Sequence, residues 1–163
     1  MSFKFILSVS FTIISYGFSA RLVVPDHLND WNILQESDVW VGWTMKDDIQ
    51  WCQAEKVLPF DIKKIASIIE DKGNYPNVFK RIEDTSILDA DIVHISLDMP
   101  FPFSGRDYIV RYVSNITDNE YTYTFTAYDE IKVPERKNYV RLINAGGRWN
   151  VTTLEKGKTK VTY

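Results

Sequence analysis

The chain contains one cysteine and two histidines among its 163 residues, and these low counts exclude several kinds of site. A single cysteine cannot form an internal disulfide. Cys52 lies in a segment that alternates like a strand, where a small buried apolar residue is favoured over a nucleophile. The isolated histidines and the cysteine give none of the ligand spacing typical of zinc or iron sites. The sequence therefore predicts no metal site, no catalytic residue and no cofactor.

Positive charge and glycine are scarce as well. Lysine and arginine together number 19 against 22 acidic residues, which gives a formal net charge of -3. Without a basic excess there is no electrostatic footprint for nucleic acid or for anionic lipid. The seven glycines form no phosphate-binding loop, and there is no nucleophile elbow. We expect no nucleic-acid partner and no electrostatic capture by an anionic surface.

Residues 1–20 have the pattern of a targeting segment. Lys4 precedes a mostly apolar run over residues 5–18, and small residues follow at Ser19 and Ala20. The run is short and rich in hydroxyl groups, whereas a transmembrane helix needs about 20 apolar residues. This favours a secretory signal peptide over residues 1–20, with an uncleaved anchor as the alternative. We therefore expect an exported protein, either periplasmic or secreted.

The remaining residues, 21–163, are predicted to form one α+β domain. Hydrophobic residues make up 45% of the chain and charged residues 25%, the balance of a globular protein. A first helix is predicted after Asp26, and a second is predicted to be capped by Asp61 and ended by Gly73 and Pro76. Strands are predicted over residues 39–43, 51–58, 81–88, 92–99, 108–114, 121–128, 139–145, 148–154 and from 158. Their short connections indicate an antiparallel sheet.

Side-chain alternation sorts the strands into two faces. Tyr108, Val110 and Tyr112 share one face of their strand, and Arg111 lies on the other. Because arginine prefers water, the tyrosine face is predicted to point inward, opposite His94 on the neighbouring strand. Buried tyrosine hydroxyls need partners, which either a ligand head group with ordered water or hydrogen bonds within the protein could supply. The predicted inner face comprises Val93, Ile95, Leu97, Met99, Tyr108, Val110, Tyr112, Tyr123, Phe125, Val140 and Leu142.

An apolar, proline-stiffened corner joins two of the predicted strands, where hairpin tips are ordinarily polar. Its sequence is Met99-Pro100-Phe101-Pro102-Phe103-Ser104-Gly105, followed by Arg106-Asp107-Tyr108. Further segments come in a fixed order around it: Asn74-Tyr75-Pro76-Asn77-Val78, Asp91-Ile92-Val93-His94, Tyr139-Val140-Arg141, Gly147-Arg148-Trp149-Asn150-Val151 and Gly157-Lys158-Thr159-Lys160-Val161-Thr162-Tyr163. In this order and spacing, residues 31–163 resemble the START (steroidogenic-acute-regulatory-related lipid-transfer) domain family.

The resemblance implies a helix-grip fold, in which a strongly curved antiparallel sheet surrounds an apolar cavity. It implies that the cavity binds a lipid or other hydrophobic small molecule without catalysis, and that transient membrane contact accompanies transfer. The inner-face residues would contact the ligand, and residues 99–105 would form a loop at the cavity mouth, here called the mouth loop. Phe101 and Phe103 either face a membrane or ligand or are tucked under this loop. Arg106 and Asp107 match the family's Arg-Asp motif. Because an exposed pair contributes little unless it is buried, they are interpreted as a fold signature that anchors the loop and not as a catalytic dyad.

The resemblance is incomplete at the carboxyl end. The family's grip helix should follow the final strand, yet the sequence ends at Tyr163. We interpret the sequence as a fragment, with coverage by the amino-terminal helix or by a partner as the alternative. Two other functions stay open: an enzyme resembling polyketide cyclases and aromatases, which share this fold, and an interaction module that buries its open sheet face against another protein. The sequence does not predict the oligomeric state.

Overall fold

The computed structural model describes residues 22–163, so the predicted signal peptide lies outside the described residues. Within them the chain forms ten strands, two short α-helices and one 3-10 turn. In chain order these are β1 Asn32–Glu36, β2 Trp40–Lys46, β3 Ile49–Leu58, α1 Ile62–Glu70, the 3-10 turn Lys72–Asn74, α2 Tyr75–Val78, β4 Ile82–Ile87, β5 Ile92–Leu97, β6 Gly105–Ile116, β7 Glu120–Ala127, β8 Tyr139–Arg141, β9 Gly146–Glu155 and β10 Lys158–Thr162.

The strands form one large sheet that does not close on itself. Their order is β1-β2-β3-β10-β9-β7-β6-β5-β4, with β8 added beside β6. Every neighbouring pair is antiparallel except β6 with β8, which is parallel. The predicted α+β class and antiparallel sheet are confirmed, because short hairpin connections leave little room for parallel crossovers.

The helix α1 begins where the sequence predicts it. Asp61 caps it, because its Oδ1 accepts a hydrogen bond of 2.9 Å from the Lys63 backbone N–H. The helix ends at Glu70, and Pro76 does not end it but lies in the first turn of α2, where its missing N–H would be unpaired in any case. The buried face of α1 packs onto the inner face of the sheet. That core comprises Ile62, Ile65, Ala66, Ile69, Tyr75, Val93, Ile95, Val110, Tyr112, Tyr123, Phe125 and Val151.

The predicted first helix is wrong. Residues 28–34 do not form a helix, and β1 occupies Asn32–Glu36, where it pairs with β2. Trp31 packs edge-on against Trp40 of β2, with ring centroids 5.7 Å apart. Pairing with a neighbouring strand thus overrides a local helical spacing of apolar residues.

Part of the outer face of the sheet is also covered, around Ile92 and Ile109, which the sequence did not predict. Residues 128–143, here called the strap, cross this part of the face and include β8. Beneath the strap lies a second, smaller core built on Ile92, Ile109 and Tyr128. The Arg111 guanidinium stacks over the Tyr128 ring at 4.0 Å, so even this outward arginine packs against the strap. Within residues 22–163, no helix is both long and apolar enough to span a membrane.

Candidate ligand-binding site

A pocket of about 480 Å³ lies at one end of the inner face. Its lining is mostly apolar and comes from widely separated parts of the chain. The contributors are the segment 22–31, residues 49–53 of β3, Leu97 and Tyr108, Phe125, residues 144–150, and the last two residues. The volume falls in the range typical of small-molecule sites, roughly 300 to 1,000 Å³.

Aromatic rings form one wall of this pocket. The Phe125 ring stacks on Tyr163 with centroids 6.2 Å apart, and Tyr163 packs on Trp149 at 4.3 Å. Gly147 makes this wall possible, since a Cβ there would lie 2.7 Å from Phe125 Cζ. Sequence reasoning predicted Phe125 at this site but not Tyr163 or Gly147. The alternation of side chains along β7 predicted the position of Phe125. The positions of Tyr163 and Gly147 at the pocket follow only from the order of strands in the folded sheet.

Most of the buried tyrosine hydroxyls have partners within the protein. Tyr75 donates a hydrogen bond of 2.6 Å to the Ile69 carbonyl, and Tyr123 donates one of 2.7 Å to Glu70 Oε1. The Tyr112 hydroxyl forms a hydrogen bond with the Tyr75 hydroxyl. Burial raises the pKa of Tyr75 to about 12 and that of Tyr112 further, so both phenols stay neutral. Of the two alternatives left open by the sequence, hydrogen bonding within the protein applies to these three tyrosines.

Tyr108 differs from them. It lines the pocket, and no hydrogen bond among residues 22–163 engages its hydroxyl. Burial raises the pKa of Tyr108, so the phenol keeps its proton and can donate a hydrogen bond. The pocket therefore combines a mostly apolar lining with a few polar side chains, among them the phenols of Tyr108 and Tyr163 and the ion pair of Asp26 with Arg148.

The mouth loop leaves the sheet beside this pocket, between Leu97 and Tyr108. Phe101 is 97% exposed and Phe103 is 60% exposed, so the two rings are not tucked under the loop. The loop is braced at its base, where Arg106 Nη1 donates hydrogen bonds of 2.7 Å to the Ser104 carbonyl and 3.2 Å to the Gly105 carbonyl. Its apolar tip projects into solvent.

No family model matches the chain. A stretch of 67 residues is 30% identical to the uncharacterized protein PA1579 of Pseudomonas aeruginosa. This match covers 41% of the chain and only 33% of that protein, so the chain spans about a third of the length of this relative. The similarity therefore carries no activity or partner to this chain.

Solved structures give a broader match. The STAR-related lipid transfer protein of Xanthomonas axonopodis aligns with a TM-score of 0.72 at 17% identity, over 83% of this chain and 80% of that one. Human STARD10 aligns with a TM-score of 0.73 at 15% identity, over 89% and 68%. Human StAR-related lipid transfer protein 5 gives 0.73 at 15%, over 81% and 69%. The chain has a START-like fold. At these identities the likeness concerns the helix-grip fold alone.

This START-like fold distributes the predicted ligand-binding residues over several environments. Three of them line the pocket: Leu97, Tyr108 and Phe125. Five are packed in the core below α1: Val93, Ile95, Val110, Tyr112 and Tyr123. Met99 is half-buried in the mouth loop, Val140 is 48% exposed at the sheet edge, and Leu142 borders a smaller pocket under the strap. The structure thus brings only part of the predicted set together.

The two residues of the Arg-Asp motif have different partners. Arg106 and Asp107 point to opposite faces of β6, and Asp107 is 1% exposed beneath the strap. Arg141 donates to both carboxylate oxygens, with Nε 3.0 Å from Oδ1 and Nη2 2.7 Å from Oδ2, and His94 Nε2 lies 2.8 Å from Oδ2. We call this group, Asp107 with Arg141 and His94, the clamp.

The charges and hydrogen bonds of the clamp indicate a structural role. Burial alone would raise the pKa of Asp107, but hydrogen bonds and charge from Arg141 and then His94 outweigh it and hold that pKa below its ordinary value. Asp107 in turn raises the pKa of Arg141. The clamp lies on the outer face, away from the pocket lining, so its charges fix the strap to the sheet. Within residues 22–163, no group of acidic, histidine or cysteine side chains is arranged to hold a metal ion.

Proposed function

We propose that this START-like protein binds a lipid or other hydrophobic small molecule in the pocket of about 480 Å³. The observation that carries the proposal is the composition of the lining, in which mostly apolar side chains stand beside the Tyr108 hydroxyl, which has no hydrogen-bond partner among residues 22–163. Apolar ligand surface contributes roughly 25 cal/mol per Å² when it leaves water, and a small number of polar groups then sets the orientation of the ligand. The solved structures that share the fold include proteins named for lipid transfer, and this supports the same class of ligand.

The proposed role is noncatalytic. General acid-base catalysis needs a titratable group within hydrogen-bond reach of the substrate. The buried His94 and Asp107 serve the clamp on the outer face. In the pocket, Asp26 is paired with Arg148 at 3.0 Å, and burial keeps the Tyr108 phenol neutral. This distribution supports a carrier over a cyclase-like enzyme. Export, which rests on residues 1–20, and transfer between membranes are further parts of the proposal.

The first experiment is native mass spectrometry of the full chain, purified from its own host without detergent and followed by organic extraction. We expect a stoichiometric apolar molecule that survives purification. The proposal is wrong if the folded protein is empty and retains neither a pyrene-labelled phosphatidylcholine nor a fluorescent sterol.

A conservative pair of variants tests the site itself. Tyr108→Phe should weaken a polar-headed ligand by roughly three- to tenfold, the effect of one hydrogen bond. Tyr128→Phe is the matched control, because the Tyr128 hydroxyl lies under the strap, where it bonds to Glu130. Equal affinities of the two variants for the extracted ligand would place that ligand elsewhere.

A further inference from the structure

The pocket lies in a gap of the sheet, next to the end of β10. This strand separates β3 from β9, and its last backbone pair joins Tyr163 to Ala54. Past that pair, β3 and β9 continue with no strand between them in the described part of the chain. Their uncovered stretches, residues 49–53 and residues 146–148, line the pocket. We call this gap between two strand edges the slot.

The β3 edge of the slot carries unpaired backbone groups. Tyr163 and Ala54 exchange hydrogen bonds of 2.8 and 2.9 Å, so the backbone N–H and C=O of Ala54 point toward β10. Backbone direction alternates along a strand, and Cys52 and Gln50 therefore point their N–H and C=O groups the same way, into the slot. No backbone hydrogen bond within residues 22–163 engages these groups on that side.

The β9 edge of the slot is open in the same way. The Ala145 carbonyl accepts a hydrogen bond of 2.7 Å from Ala127, and the pairing of β7 with β9 continues from there. Because Ala145 faces β7, the alternation turns the backbone N–H and C=O of Gly146 and Arg148 toward the slot. Two strand spacings, roughly 9.5 Å, separate β3 from β9, which leaves room for one extended chain. The slot therefore offers donors and acceptors on both sides to one inserted strand.

The side chains around the slot suit a ligand with a neutral polar part and an apolar part. Asp26 and Arg148 are the charged side chains of the described lining, and they neutralise each other at 3.0 Å. Carboxamides, which both donate and accept hydrogen bonds, supply much of the remaining polar lining. They are Gln50, Gln53, Asn144 and Asn150. The aromatic wall of Phe125 and Tyr163 stands at the end of the slot where β10 stops.

We propose that the ligand of this pocket is an acylated peptide, in which a fatty acyl chain is joined through an amide to a short extended peptide. The peptide runs in the direction of β10 and pairs antiparallel with both edges of the slot. The acyl chain on its amino end packs against Phe125, Tyr163 and Tyr108. A fatty acid or a phospholipid fills the apolar part but leaves the backbone groups of the slot without partners. This inference rests on the proposed function and names the class of its ligand.

Isothermal titration calorimetry of the full chain tests the ligand class with three probes below their micelle concentrations. They are N-dodecanoyl-tetraalanine amide, the same compound methylated on two of its backbone nitrogens, and dodecanoic acid. The first should bind at least tenfold more tightly than either of the others, because each backbone hydrogen bond contributes roughly fivefold in affinity. Equal affinities for all three would overturn the acylated-peptide proposal and leave the proposed function standing. Failure of every apolar probe to bind would overturn both.

Amide hydrogen exchange, followed by nuclear magnetic resonance, locates the bound peptide. The N–H groups of Gln50, Cys52, Gly146 and Arg148 should exchange at least tenfold more slowly when N-dodecanoyl-tetraalanine amide is bound. The amides of β1, whose outer edge is also unpaired, are the control and should not change. Protection of β1 alone would mean that the peptide adds to any free edge, and would overturn the proposal. Slot amides that are already protected without ligand, by a second copy or by residues 1–21, would overturn it too.

A proline variant removes a donor from the slot without removing a pair from the sheet. Cys52→Pro deletes an N–H that points into the slot, and it should weaken N-dodecanoyl-tetraalanine amide at least tenfold. Ile87→Pro is the matched control: Leu88 N–H donates to the Ile92 carbonyl of β5, so the Ile87 N–H points to the outer edge of β4, away from the pocket. Full affinity in Cys52→Pro would overturn the proposal. The methylated probe applies the same test to the unaltered chain, whatever the stability of Cys52→Pro.

Discussion

Replacing Asp107 with asparagine should destabilise the fold by about 3 kcal/mol. The carboxylate is 1% exposed and accepts hydrogen bonds from Arg141 at 2.7 and 3.0 Å, with His94 2.8 Å away. Breaking a buried ion pair by removing one partner typically costs about 3 to 5 kcal/mol, because the other charge stays buried. The Arg141 side chain is 18% exposed, so water reaches it in part and the lower end of that range applies. Asparagine also keeps one acceptor oxygen.

Urea unfolding followed by circular dichroism measures this loss. For a domain of this size, about 3 kcal/mol corresponds to a fall in Tm of roughly 10 °C. The slope of unfolding free energy against urea should stay constant, since the surface exposed on unfolding is unchanged. Asp98→Asn is the matched control: Asp98 is 68% exposed and 4.0 Å from Arg81, a geometry that contributes about 0 to 1 kcal/mol.

The stability difference between the wild type and Asp107→Asn should depend on pH. The pKa of Asp107 is lowered in the folded state from its ordinary value of 3.8, so the stability that the clamp contributes is complete above that value. It is lost as the pH falls through the folded-state pKa, where the carboxylate takes up a proton. The wild type and Asp107→Asn should therefore converge in stability below pH 3.8. If Asp107→Asn is no less stable than Asp98→Asn at neutral pH, the clamp does not hold the strap as argued.

Two further substitutions test local features. Asp61→Ala should cost about 1 kcal/mol in urea unfolding, because α1 loses the acceptor for its first-turn N–H, and Asp61→Asn should recover most of it. Gly147→Ala places a Cβ 2.7 Å from Phe125 Cζ, so the ring must move and retention of the pyrene-labelled lipid should fall, whereas Gly73→Ala meets no atom within 4 Å and should leave it unchanged. Unaltered lipid retention in Gly147→Ala would mean that the aromatic wall does not contact the ligand.

Local signals in the sequence predicted the parts of the fold that depend on local physics. Asp61 before an apolar run gives a helix cap wherever the helix packs, and the period of two in β5 and β6 separates their faces. The mouth loop was also visible, because prolines and phenylalanines are uncommon between two strands. The helix predicted over residues 28–34 was wrong because its signal was local while the structure there depends on pairing with another strand. Their apolar spacing suits a helix, but the chain from Asn32 onward pairs with the edge of β2 as strand β1.

The candidate site was harder to predict because its parts meet only through the strand order. Phe125 could be assigned to the inner face from alternation, but its stacking on Tyr163 brings together residues 38 positions apart. The partner of Asp107 lies 34 residues away in the strap, whereas its neighbour Arg106 suggested a local pair. Neighbours along a strand point to opposite faces, so that pair could not form inside the sheet.

The parallel addition of β8 gives the mouth loop a firm base. β7 leaves β6 at Val110, and β8 takes its place beside Gly105–Asp107, while β5 pairs along the other side. Backbone pairing therefore continues up to Gly105 and stops there. The loop tip therefore lies outside the paired part of the sheet. Its length and composition can therefore change without altering the register of the sheet. Because no residue between Leu97 and Tyr108 lines the pocket, such changes also leave the pocket lining in place.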